Sequence, residues 1–171
     1  MPEATARDAM ATVFPRISRY EKVRQAVAQL VEAGWASGLI LSDEDVPIGT
    51  FGRREMLRTL SERTGGFFSE EELGFAYLQG EVFRSEAVRD VWRACWDSTV
   101  ETVMRREVPM VTEDASLAAV ADRIVRSGCD AAAVVRDGRI VGAIRSQDIV
   151  SWIAAHPESF RGARGPRAGP S

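Results

Sequence analysis

Apolar residues in the first part of the chain recur at the spacing of a helix face. Val23, Ala26, Val27, Leu30 and Val31 stand at i, i+3, i+4, i+7 and i+8, and Gly34 closes the run at i+11. Leu117, Val120, Ala121, Ile124, Val125 and Gly128 repeat the set 94 positions later. Such a stripe predicts an amphipathic helix, ended by a glycine able to take the left-handed conformation. The residues after each helix repeat as well. Trp35 to Leu41 and Cys129 to Val135 each read as a turn into an apolar strand. A second strand carrying glycine comes next, Ile48-Gly49-Thr50-Phe51 in one half and Val141-Gly142-Ala143-Ile144 in the other, now at an offset of 93. The residue is lost in the intervening turn, where Asp137-Gly138 is a favoured pair for a two-residue hairpin. Each half closes with a helix, Arg53 to Leu60 and Ser146 to Ala155. Ahead of the first helix Ser18-Arg19-Tyr20-Glu21 reads as a capping box, and Thr112-Glu113-Asp114 as a comparable start.

The predicted unit is extended segment, helix, strand, hairpin, strand, helix. A unit of this size alone buries only about 60% of its surface and is marginal. Two copies should therefore pack together in an α+β fold of two pseudosymmetric β-α-β-β-α repeats. The expected division is repeat 1 over 1–60, a helical insertion over 61–97, repeat 2 over 98–157 and a disordered tail over 158–171. In the insertion Val88, Val91, Trp92, Cys95 and Trp96 form another helical stripe, and an apolar cluster comes after Glu70-Glu71-Glu72. Helices are predicted over Glu70 to Gln79 and Glu86 to Trp96. Two readings of the insertion stay open: it covers its own module, or it buries itself against a second subunit or partner. The tail is rich in Gly, Pro and Arg, a composition that does not build a core.

Composition narrows the chemistry. Of 171 residues, 22 are basic and 25 acidic, a net charge of −3 that argues against a nucleic-acid or membrane-surface coat. With one histidine, His156, and two cysteines, Cys95 and Cys129, neither a His-dependent triad nor a zinc cluster is expected. Neither a Walker-type glycine loop nor an apolar leader or membrane span is expected. The expectation is a cytoplasmic protein that is not an enzyme and requires no cofactor.

The repeats resemble a pair of CBS domains, the tandem known as a Bateman module. The resemblance is carried by Val103 to Val111, the helix ending at Gly128, the strand Ala133-Val134-Val135 and above all Ile140 to Val150. It implies clefts between the copies that take AMP, ADP, ATP or S-adenosylmethionine as regulatory ligand, and a protein partner switched by their occupancy. It also implies a homodimer. In the family the second strand runs Gly, two apolar residues, Ser or Thr, two variable residues, then Asp. The aspartate meets ribose hydroxyls, and the hydroxyl and helix N-terminus meet phosphate. Repeat 2 supplies Gly142, Ala143, Ile144, Arg145, Ser146, Gln147 and Asp148. Asp148 is retained, but Arg145 holds the hydroxyl position, with Ser146 one place late. Arg145 either fills the pocket or offers charge to a phosphate. In repeat 1 Gly52 and Glu55 hold the two positions, and Glu55 is either a ribose ligand or a helix-terminal charge. The resemblance further implies lining by Val108, Pro109 and Met110, by Cys129, Asp130, Ala131 and Ala132, and by Trp35, Ala36 and Ser37. Trp35 either stacks on a purine or simply packs. The alternative function is a scaffold with degenerate sites, acting through dimerisation and the aromatic insertion.

Overall fold

The computed structural model describes residues 4–63 and 86–160. The first repeat contains helix α1 (Ala6–Ala9), strand β1 (Arg16–Ser18), helix α2 (Val23–Ala33), strands β2 (Ser37–Leu41) and β3 (Pro47–Gly52), and helix α3 (Arg53–Arg63). Helix α4 (Glu86–Asp97) is next, then a 3₁₀ turn (Val100–Thr102), β4 (Met110–Thr112), α5 (Leu117–Ser127), β5 (Ala131–Arg136), β6 (Arg139–Arg145), α6 (Ser146–Ala155) and a second 3₁₀ turn (Pro157–Phe160). The strands form two three-stranded sheets in the orders β1-β2-β3 and β4-β5-β6, each with one parallel and one antiparallel pairing. Helices α2 and α5 both end on a left-handed glycine, Gly34 at φ 69° and Gly128 at φ 64°. The β5–β6 turn has positive φ at both Asp137 and Gly138, the geometry of a two-residue hairpin.

The helix starts differ from the sequence expectation. Ser18 ends β1, and its N–H donates to Glu21 Oε1 at 3.1 Å, so that pair ties a turn ahead of the helix. Helix α2 begins at Val23, where Gln25 Oε1 accepts from the Lys22 N–H. In repeat 2 the cap is Ser116, whose hydroxyl accepts from the Ala119 N–H, and Thr112 and Asp114 bond to each other in the turn before it. The capping box and the comparable start predicted from sequence therefore both close turns, and the helices start later. Of the insertion, α4 matches the second predicted helix; the first, Glu70 to Gln79, lies outside the described residues.

The lead-in to each repeat crosses to the other. The N–H of Ala6 donates to Ala115 O (2.8 Å), that of Arg7 to Glu113 O (3.0 Å), and Ala11 bridges Ala143 in β6. Displaced by one repeat, the Val100 N–H donates to Glu21 O (2.8 Å), that of Glu101 to Arg19 O (3.0 Å), and Arg105 bridges Thr50 in β3. This exchange explains the glycine in each second strand. A Cβ on Gly49 would stand 2.7 Å from Arg105 O, and one on Gly142 would stand 2.6 Å from Met10 Sδ. The crossing chain needs that space.

Two apolar clusters result, and each draws on both repeats. Val100, Val103, Met104, Ala131, Ala133 and Ala143 are buried with Ile17, Leu39, Ile40 and Phe51 of repeat 1. Ala6 is buried with Val120, Ile124, Ala132, Val134, Ile144 and Ile149 of repeat 2. Alternate residues of β5 thus enter opposite clusters, as the period of a strand requires, and Ala131 to Val134 are buried on both faces. Glu113, at 9% exposure, accepts a bidentate pair from Arg136 at 2.7 and 2.8 Å, which holds its carboxyl below the ordinary glutamate range.

Candidate functional site

The turns after α2 and α5 meet the starts of α3 and α6 at the junction of the repeats. A cavity of about 210 Å³ opens there, lined by Gly34, Ala36, Ser37 and Arg53 of repeat 1 and Asp130, Arg145, Ser146 and Gln147 of repeat 2. Its polar walls come from two arginines, two hydroxyls, an amide and a carboxylate, with the N-terminus of α6 beside them. Such a terminus concentrates unpaired N–H donors and partial positive charge, and so suits an anion.

Arg145 dominates this site. Its backbone N–H and its Nε each donate to Asp148 Oδ2 at 2.9 Å, and Nη2 donates to Oδ1 at 2.5 Å. The Arg145 and Asp148 side chains are 25% and 15% exposed, so the pair is largely withdrawn from water. On the other side the Arg145 guanidinium lies 4.3 Å over the centre of the Trp35 ring, a cation–π arrangement. Hydrogen bonding to Asp148 raises the Arg145 pKa still further, fixing the charge. The carboxylate expected to meet ribose is therefore engaged by its own helix cap, and Trp35 has a guanidinium on its face.

The pseudosymmetric position is closed differently. Glu55 is only 6% exposed and lines a recess of about 10 Å³ with Thr50, Arg54, Cys129 and Asp130, room for about one water. Burial raises its carboxyl above the ordinary glutamate range; its own N–H, the charges of Arg58 and Arg105 and the Gly52 N–H pull it down without cancelling that effect. Cys129 Sγ lies 3.9 Å from Thr50 Oγ1, and the Arg54 guanidinium donates to Gly128 O at 3.0 Å. Gly52, at the family's hydroxyl position, pairs with Ser37, and a Cβ there would stand 2.6 Å from Ala36 O. Packing against the preceding turn is what denies repeat 1 a hydroxyl.

Of the residues singled out from sequence, Ala36, Ser37, Asp130, Arg145 and Ser146 meet at the larger cavity, with Trp35 and Asp148 behind Arg145. Cys129 and Glu55 meet in the recess. Others are placed elsewhere. Ala131 and Ala132 lie within β5, paired to Arg145 and Ile144, so the turn after α5 is shorter than expected. The Ile144 side chain is buried in the repeat 2 cluster, and Gly142 accommodates Met10. Val108 packs on the repeat 1 cluster, Pro109 is buried with its carbonyl accepting from the Ala133 N–H, and Met110 is 44% exposed. None of these three lines either space. Sequence reasoning missed Arg53 and Gln147, although the 93-residue offset that aligns Arg53 with Ser146 was the available signal.

Among the described residues no group of three His, Cys, Asp or Glu side chains is placed to hold a metal, and no helix is long and apolar enough to cross a membrane. A further cavity, of about 590 Å³, stands away from the repeat junction. It lies under α4 between α2 and α3, with Trp92 and Trp96 stacked at 5.2 Å on one side.

Comparison with known proteins places this geometry. The CBS domain family matches residues 100–155. No curated protein matches the chain. Among solved structures, protein MJ1004 of Methanocaldococcus jannaschii aligns over 89% of this chain at 24% identity and a TM-score of 0.62, and this chain spans 60% of that protein's length. The CBS domain of a membrane protein from Sphaerobacter thermophilus aligns over 87% of both chains at 18% identity and a TM-score of 0.62. The CBS domain pair of protein MJ0100, solved with 5′-methylthioadenosine and S-adenosyl-L-methionine, aligns over 90% of this chain and 98% of its own at 18% identity and a TM-score of 0.59. The CBS domain family is thus matched over residues 100–155, in repeat 2, and the two repeats together have the fold of solved CBS-domain pairs.

Proposed function

We propose that this protein is a regulatory module, not a catalyst, which senses an adenine nucleotide or adenosyl ligand at the repeat junction and passes its occupancy to a partner protein. One observation carries the reading: Arg145 stands between Trp35 and Asp148 at the mouth of a cavity that already presents Arg53, Ser146 and a helix N-terminus. At about 210 Å³ the cavity is smaller than the roughly 300–1,000 Å³ usual for small-molecule sites. Ligand entry therefore requires Arg145 to leave Asp148. Its charge then faces the phosphate or other anionic group, while Asp148 and Trp35 become free for ribose and base. A ligand that binds only the opened arrangement shifts the population between the two, which is what a switch requires. The crystallised complex of MJ0100 with two adenosyl ligands supports the ligand class.

On this reading the module works in the cytoplasm as a homodimer, without nucleic acid or membrane as partner. The test is a thermal-shift panel of AMP, ADP, ATP and S-adenosylmethionine on the native chain, Asp148→Ala and Arg145→Ala. At one hundred times its dissociation constant a ligand adds about 2.7 kcal/mol, several degrees for a chain of this length. Stabilisation lost in Asp148→Ala is the expected result, and a flat panel on all three proteins refutes the reading. The engaged Asp148 and the nearly filled Glu55 recess favour a second reading, a scaffold with degenerate sites. Under that reading the chain forms the same oligomer or partner complex with and without nucleotide, as sedimentation would show.

A further inference from the structure

We infer that the cavity under α4 is a second binding site, for an amphipathic monoanion with an apolar acyl or aromatic body. The cavity, about 590 Å³, has the volume of a small-molecule site, and it is built by a helix that the repeat itself does not contain. Helix α4 lays Trp92 and Trp96 over the gap between α2 and α3, while Val31, Met56 and Leu57 form the facing walls. The fit is incomplete, because Val31 remains 74% exposed beside two half-buried indoles. The body of the ligand is set by this wall, which offers flat rings and aliphatic side chains.

The head group is set by Arg53. It is the one charged side chain among the described residues that line this cavity, it also lines the polar cavity at the repeat junction, and no described carboxylate is paired with it. A guanidinium with no carboxylate partner among the described residues, at the rim of an apolar chamber, complements one anion, and carboxylate is the group its planar fork fits best. Fatty acids and aromatic carboxylates share that chemistry.

The full-length chain is titrated with decanoate and with indole-3-acetate, each beside its uncharged counterpart, decanol or indole-3-acetamide, by calorimetry and tryptophan fluorescence. Saturable binding of at least one acid is expected, with a negative heat-capacity change from apolar burial. The tighter arm distinguishes chain from ring. The acid should exceed its neutral counterpart about two- to fivefold, the range of a partly exposed ion pair, and Arg53→Gln should remove that preference. Val31→Trp, which fills the mouth from an exposed position, should abolish binding, whereas Asp148→Ala should leave it intact and so separate this site from the nucleotide site. Absence of saturable binding, whether a second copy or another stretch of this chain fills the cavity instead, overturns the inference. So does an acid preference that survives Arg53→Gln, or binding unchanged by Val31→Trp.

Discussion

Adding one methyl group at each of two symmetry-related glycines should give unequal results. In Gly142→Ala the new Cβ meets Met10 Sδ at 2.6 Å and Met10 Cγ at 3.1 Å, both on a flexible side chain, while the nearest backbone atom, Ala11 O, is 3.2 Å away. In Gly49→Ala it meets Arg105 O at 2.7 Å, as well as Met104 Sδ at 2.8 Å. That carbonyl accepts the Thr50 N–H at 2.8 Å, and Arg105 N donates back to Thr50 O at 2.9 Å, so the backbone yields only by straining the bridge between repeats. Overpacking costs about 1–3 kcal/mol, and a glycine-to-alanine change in permissible backbone returns about 0.4–1 kcal/mol through the unfolded chain. Gly142→Ala should thus cost about 1 kcal/mol or less, and Gly49→Ala about 2 kcal/mol. Urea unfolding resolves that gap, which corresponds to several degrees of melting temperature at about 2–4 °C per kcal/mol. Double mutants sharpen the test. Met10→Ala should relieve Gly142→Ala, giving a coupling energy of about 1 kcal/mol, while Met104→Ala should not rescue Gly49→Ala because the carbonyl remains. Equal costs at the two glycines, or full rescue by Met104→Ala, would refute the assignment of the exchange as a rigid backbone contact.

The same geometry sets other outcomes. The folded-state pKa of Glu55 is raised, so the folded protein holds that proton more tightly than the unfolded one, and this stabilisation declines as pH climbs from the ordinary glutamate range through the raised value. Glu55→Gln should therefore match the native chain in acid and exceed it at neutral pH; melting curves across pH check this, and a loss of stability at neutral pH counts against it. Phe51→Ala, at a fully buried ring, should cost about 3–5 kcal/mol by urea unfolding. In the native protein Cys129 should react with a maleimide well before Cys95, whose thiol is fully buried and pushed up in pKa by that burial; equal rates would show that α4 is not seated as described.

Much of this architecture was legible because it is periodic. The stripes ending at Gly34 and Gly128, the two strands after each, and Asp137-Gly138 are local signals, and each produced the expected element. The capping box misled because Ser18 and Glu21 do bond, but across a turn ahead of the helix. Arg145 left two readings open in the sequence, filling the pocket or offering charge to a phosphate; its pairing with Asp148 and packing on Trp35, contacts no local pattern announces, set its resting place. The exchange of lead-in segments left only an indirect trace, glycine at 49 and 142. Pattern analysis locates such a glycine without naming the chain that approaches it. Likewise the stripe of α4 announced an apolar face without revealing that α2 and α3 receive it only in part.

The crossing of the lead-in segments also sets an order of events during synthesis. Ala6 to Ala11 leave the ribosome well before Glu113, Ala115 and Ala143, the residues they pair with. Repeat 1 likewise waits for Val100 to Arg105 before its cluster closes. Contacts of such long sequence separation form slowly, so the nascent chain carries exposed apolar surface until repeat 2 has emerged. Neither cluster closes before both repeats have been made, and a chain truncated within repeat 2 strands the segment from Ala6 to Ala11.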